Sequence, residues 1–131
     1  MTNSKFEIHG QYKLSTRDNI IFIEAKGPWN LEFSQQIHDD FRAVYHQIDT
    51  KNYAVLLIPH GETIAISDAL ALHESFVLQG NAKAIAINLQ YSSTPLSGES
   101  MFRQVYEKTG LKHAFFNNTK GAISWLENLS P

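Results

Sequence analysis

Tyr53-Ala-Val-Leu-Leu-Ile58, a short polar loop, Ser67-Asp-Ala-Leu-Ala-Leu-His-Glu-Ser-Phe-Val-Leu-Gln79-Gly80 and then Ala82-Lys-Ala-Ile-Ala-Ile-Asn88 form the stretch that decides the fold. The first and last segments are apolar without strict alternation, the pattern of strands covered on both faces of a sheet. The segment between them is long enough for a helix and ends at a glycine. Two such strands joined through one helix describe a βαβ crossover, with 53–58 and 82–88 as neighbouring parallel strands. Gly80 is expected to end the helix in the left-handed conformation.

Upstream, Phe6 to Leu14 and Ile20 to Lys26 carry the β-branched and aromatic residues of two strands, and Ser15-Thr-Arg-Asp-Asn19 between them is turn chemistry. The chain therefore opens with a hairpin. Gly27-Pro28 stops its second strand, and Asn30 can cap a helix whose apolar positions Leu31, Ile37, Phe41, Val44 and Ile48 recur mostly at three or four residues. The opposite face, with Gln35, Asp39, Arg42 and Gln47, is polar. Downstream, Gln90 to Gly98 reads as a polar loop and Glu99 to Thr109 as a helix closed by Gly110. A strand at His113 to Phe116 and a helix capped by Asn118 or Thr119 complete an order of ββαβαβαβα. The expected fold is α/β: one mixed sheet of about five strands with helices packed on it, and residues 1–131 as a single domain.

The 131 residues, 43% hydrophobic and 18% charged, suit one domain able to bury about two-thirds of its unfolded surface. A formal charge of −2, with Lys and Arg scattered, provides no footprint for nucleic acid and no polybasic membrane patch. No segment is apolar enough for membrane insertion, and the absence of cysteine suits a cytoplasmic location. The six histidines are dispersed; His38 and His46 lie two turns apart with Arg42 between them, which argues against a metal site. No Gly-rich phosphate cradle or G-x-S-x-G elbow occurs, so neither a cofactor nor a catalytic residue is expected.

The pairing of an apolar strand with a Gly-containing loop and a Ser-Asp helix start resembles the STAS domain, the SpoIIAA-like fold of bacterial anti-sigma-factor antagonists. Tyr53 to Leu72 is similar to the STAS strand, loop and second helix, and Phe115 to Leu129 to the final strand and Ala-x-x-Trp-Leu helix. Gly27-Pro-Trp-Asn30 looks most like uncharacterised small bacterial families of the same architecture. The resemblance implies a regulatory, non-enzymatic module with a protein partner. It also implies a phosphorylatable hydroxyl at Ser67, although Ile66, Asp68 and Ala69 depart from the Asp-Ser-Ser/Thr-Gly motif found there.

Candidate site residues follow from position. Ser67 stands where unsatisfied helix N–H groups need an acceptor, so its simplest role is an N-cap; as a phosphosite it would have Asp68 beside it as a like charge. His60 and Thr63 belong to a loop at the carboxyl end of a central strand, where open α/β folds collect ligands. Tyr91, with the hydroxyls of Ser92, Ser93 and Thr94, is expected to complete a shallow polar pocket at the same edge. Trp29 is either packed on its own hairpin or the anchor of a partner surface. The favoured function is a regulatory or protein-interaction module, with self-association left open. The alternative is a carrier or sensor of a small apolar or anionic ligand, its pocket lying between helices and sheet near Tyr91 and Phe76.

Overall fold

Strand Ala54–His60 is buried along almost its whole length because both of its faces are covered. Val55 and Leu57 point into one apolar layer, while Ala54, Leu56 and Ile58 point into another on the opposite side of the sheet. That two-sided burial is why the segment carries no polar alternation. A computed structural model describes residues 6–7 and 10–129 and arranges them around this strand.

The described elements are β1 (Phe6–Glu7), β2 (Gly10–Arg17), β3 (Ile20–Lys26), α1 (Leu31–Ala43), a 3₁₀ turn (Tyr45–Gln47), β4 (Ala54–His60), α2 (Ser67–Gln79), β5 (Ile85–Asn88), α3 (Pro95–Thr109), β6 (His113–Phe116) and α4 (Thr119–Glu127). The strands form one mixed sheet in the order β1-β2-β3-β4-β5-β6. β2 and β3 are antiparallel, whereas β3, β4, β5 and β6 run parallel, with Ile20 opposite Ala54 and Val55 opposite Ile85. The expected parallel pairing around α2 is therefore present. Asp18 and Asn19 both have positive φ, the conformation that two-residue hairpin turns demand.

Four expectations are corrected. The segment 6–14 is not one strand: β1 pairs antiparallel with β2, Glu7 opposite Gly10, and residues 8 and 9 lie outside the described residues. Gly80 ends α2 in extended backbone (φ −94°, ψ 176°) rather than left-handed. Gly110 does take the left-handed position after α3, at φ 79°. α3 begins at Pro95 rather than Glu99, since proline suits the first turn of a helix. That brings Gly98 inside the helix and against the loop before α2, where a Cβ would stand 2.6 Å from Thr63 Cγ2.

Fourth, Ser67 does not cap α2. It is the first helical residue, Ile66 holds the cap position, and no side chain accepts from the helix start. α1 and α4 are capped as expected: Asn30 Oδ1 accepts from Phe33 N at 2.9 Å and Asn118 Oδ1 from Gly121 N at 2.6 Å. Asn30→Ala should therefore lower unfolding free energy in urea by about 1 kcal/mol. Ser67→Ala should change it by less than about 0.5 kcal/mol, the ordinary range for a surface substitution; a loss at Ser67 equal to that at Asn30 would restore the cap.

Candidate functional site

α1, α2 and α3 lie over one face of the sheet and α4 over the other. On the α4 side, Ile20, Leu56 and Ile58 meet Ala122 and Leu126 in one apolar cluster, where the small residues Ala54, Ala84 and Ala86 let the helix approach closely. The other side differs. Of the 13 residues of α2, only Ala69 is fully buried. Leu70, Phe76 and Val77 are partly buried and reach toward the core without filling it.

A cavity of about 120 Å³ remains between the three helices and the sheet. Ile23, Val55, Leu57 and Ile85 form its floor. Phe33 and Phe41 of α1, Phe76 of α2 and Phe102 of α3 form much of its wall, together with Trp29, which stacks against Phe33 with ring centroids 6.2 Å apart. No Asp, Glu, Lys or Arg lines it.

Three polar side chains from three helices meet in this wall. His38 of α1 approaches His73 of α2, with Nε2 to Nδ1 at 3.0 Å, and His73 Nε2 lies 2.8 Å from the Tyr106 hydroxyl of α3. Phe76 stacks on His38 at 4.2 Å between centroids, and the Arg42 guanidinium covers the Phe76 ring at 5.0 Å. His73 is partly buried and belongs to the lining of the cavity.

Hydrogen-bond accounting assigns the protons. Tyr106 is fully buried and, among the described residues, its hydroxyl meets no group but His73, so it donates to His73 Nε2. His73 then carries its proton on Nδ1 and donates to His38 Nε2. His38 in turn carries its proton on Nδ1, which has no partner among the described residues. The reverse direction would leave both the tyrosine proton and a His38 lone pair unmet. Trp29 Nε1 is a second buried donor without a partner. Both residues are only 7% exposed.

Burial is the main reason that both imidazoles stay neutral. It holds His38 down to about 3, helped by His73 and then Arg42. It holds His73 down to about 4, with Glu74 acting in the opposite sense. Burial also raises the Tyr106 phenol above its ordinary value. No carboxylate is bonded to either imidazole among the described residues, so neither of these two has the acidic orienter of a catalytic histidine.

The residues singled out from sequence lie mostly elsewhere. His60, at the end of β4, bonds Glu24 Oε1 through Nε2 at 3.1 Å and stacks on Tyr91 at 4.9 Å. Tyr91 is half exposed and does not line the cavity, which corrects its expected place beside Phe76. Ser67 and Asp68 are exposed at the start of α2. Thr63 is buried: its N–H donates to Thr94 Oγ1 at 2.9 Å and its hydroxyl pairs with Ser92. Thr94 N donates to Ser92 Oγ at 3.1 Å and Ser93 N to Gly61 O at 2.8 Å, so these loop groups bond one another instead of lining a polar pocket. Trp29 is not on the surface. Its backbone pairs with the loop before α2, donating to Ile64 O and accepting from Ile66 N, and this turns the indole inward. Gly27 is required in the same join, since a Cβ there would fall 1.8 Å from Glu62 O.

Neither a family model nor a curated protein matches the sequence. Among solved structures, an uncharacterised protein of the DUF3478 family with a SpoIIAA-like fold, from Shewanella loihica, matches with a TM-score of 0.64 and 18% identity over 89% of this chain and 93% of that one. An anti-sigma factor antagonist from Mycobacterium paratuberculosis matches with a TM-score of 0.53 and 7% identity over 91% and 95%. The fold is STAS-like. No described helix is long and apolar enough to cross a membrane.

The neutral imidazoles set a pH dependence. Their pKa values in the fold lie below the ordinary 6.5, so the unfolded chain binds more protons as the pH falls below 6.5. The stabilisation is complete above pH 6.5 and is lost on acidification toward 4 and then 3. At pH 5 the loss should be about 2 kcal/mol per imidazole. Urea midpoints measured from pH 7 to 4.5 should fall less steeply in His38→Phe than in wild type; parallel slopes would mean that His38 is not buried neutral.

Proposed function

We propose that this chain is a non-enzymatic binding module that encloses a small apolar molecule, as a carrier or sensor, in the cavity beneath α2. The observation that carries this reading is a partly enclosed space walled by aromatic and aliphatic side chains on one face of the sheet. Apolar cavities of this order, about 150 Å³, stay dry and take up benzene. The uncharged lining weighs against the anionic ligand that composition alone left open.

A regulatory protein-interaction role is the second reading. It draws on the exposed Ile64, Ile66, Tyr91 and Leu96, which lie on the loops before and at the starts of α2 and α3, and on the antagonist among the fold neighbours. In that reading Ser67, Asp68, His60 and Tyr91 are the contact residues, with Trp29 and Thr63 supporting them from beneath. Ser67 would be the switch, and the compartment would be the cytoplasm.

Titration with benzene or toluene, followed by ¹H–¹³C methyl spectra, distinguishes the two. Ligand binding should shift the methyls of Ile23, Val55 and Ile85 and leave those of Ile20 and Ile58 unmoved. Ala69→Leu, which fills the space from α2, should abolish the response. Unshifted floor methyls at millimolar ligand would leave the interaction module as the better reading.

A further inference from the structure

The cavity beneath α2 is long and narrow. α2 lines it from Ala69 to Gly80, about 16 Å of helix. α1 lines it from Phe33 to Phe41, about 12 Å, and β4 with the residue before it from Tyr53 to Leu57, about 13 Å of strand. These spans run side by side, because a helix that joins two parallel strands must travel back along them. A round space of about 120 Å³ would reach fewer turns of α2, so the volume is drawn out along the helix.

Its two ends differ. Trp29, Phe33, Ala69 and Phe102 close the end beneath the start of α2, and all four are buried. At the other end the lining reaches Gly80, Ala82 and Leu111, and Gly80 is exposed. Neither backbone nor crowding requires a glycine there. Its φ of −94° is open to any residue, and a Cβ would stand 3.5 Å from Phe76 O and 3.7 Å from the Tyr53 hydroxyl, ordinary contacts. The polar groups of this end are uncharged: the Tyr45 and Tyr53 hydroxyls meet at 3.3 Å, and Asn81 Nδ2 donates to Thr50 O.

An apolar slot with one buried end and one exposed, hydroxyl-bearing end selects a guest by shape. A compact ring would occupy one part and leave the remaining wall without contacts, whereas an unbranched chain touches wall along its whole length. Resting on the ligand-binding reading above, we propose that the slot holds one unbranched alkyl chain, its methyl end toward Trp29 and Leu57 and its polar end at a mouth beside Gly80 and the Tyr53 hydroxyl. The volume suits about six carbons, the number in the benzene that a slightly larger apolar cavity admits, and about two more lie in the mouth. Glycine at position 80 keeps that mouth clear of a side chain.

The test uses n-butanol, n-hexanol and n-octanol as probes, with cyclooctanol as a compact guest of the same carbon number and benzene as a guest that needs no mouth. Affinity is read by methyl-shift titration and orientation by nuclear Overhauser contacts. Binding should tighten about fourfold for each added methylene along the series, and n-octanol should bind about tenfold more tightly than cyclooctanol. The methyl end of n-octanol should contact Leu57 and Ile23, and its hydroxyl-bearing end Val77 and Leu111. Gly80→Leu, which places a side chain in the mouth at an unstrained position, should weaken n-octanol about tenfold and leave benzene affinity unchanged. Equal binding of n-octanol and cyclooctanol, a hydroxyl end found beside Leu57, or n-octanol affinity untouched in Gly80→Leu would each overturn the proposal, and benzene binding would leave the apolar cavity reading standing. Failure of every guest, benzene included, would remove the binding reading and this proposal together.

Discussion

A helix that covers a sheet of isoleucine and valine side chains with a single small, fully buried residue leaves volume beneath it. α2 is that helix, and Ala69 is that residue. Every other property of the site depends on this mismatch. The sheet floor is made of branched aliphatics that cannot rise to meet α2. The neighbouring helices send in rings, whose rigid planes edge the space without closing it. On the opposite face, small alanines on strands and helix allow close approach.

The polar residues follow from the same geometry. Three helices converging over one space bring side chains from α1, α2 and α3 within hydrogen-bond distance, and His38, His73 and Tyr106 meet there. In a low-dielectric wall such a chain is stable only if each member is paired, and all are except at its His38 end. The second open donor, on Trp29, arises from a different constraint. Backbone pairing of Trp29 with the loop before α2 turns the indole inward, and the close contact at Gly27 holds that loop against β3 and α1. The start of α2, the loop that carries the exposed Ile64 and Ile66, and the cavity wall are thus one connected unit.

The crossover from β4 through α2 to β5 was legible because strands buried on both faces need no polar alternation, and the caps Asn30 and Asn118 because a short amide side chain can reach a free helix N–H. The start of α2 was harder to read. Ser67 has the chemistry of a cap, but pairing of Trp29 with Ile64 and Ile66 sets the backbone path and moves the cap position to Ile66. That constraint is tertiary and leaves no mark near Ser67. The site itself was missed because His73 follows His38 by 35 residues and Tyr106 follows His73 by 33. One signal was available. His38 follows Ser34 by four residues and precedes Phe41 by three, which places it on the buried face of α1 and not with His46 on the solvated side. A histidine in that stripe needs a buried partner. The polar residues of 60–68 and 91–94 drew attention instead, although many of their hydrogen bonds are to one another.

The central claim is that the space under α2 is a real, guest-accessible cavity and not slack that the helix closes in solution. A crystal structure determined under xenon pressure tests it most directly, because xenon enters apolar cavities and scatters strongly. The account predicts a xenon peak between Phe76, Leu57 and Ile85, with the α4 face unoccupied. A structure with α2 settled onto the sheet, Phe76 filling the space and no xenon bound, would contradict it.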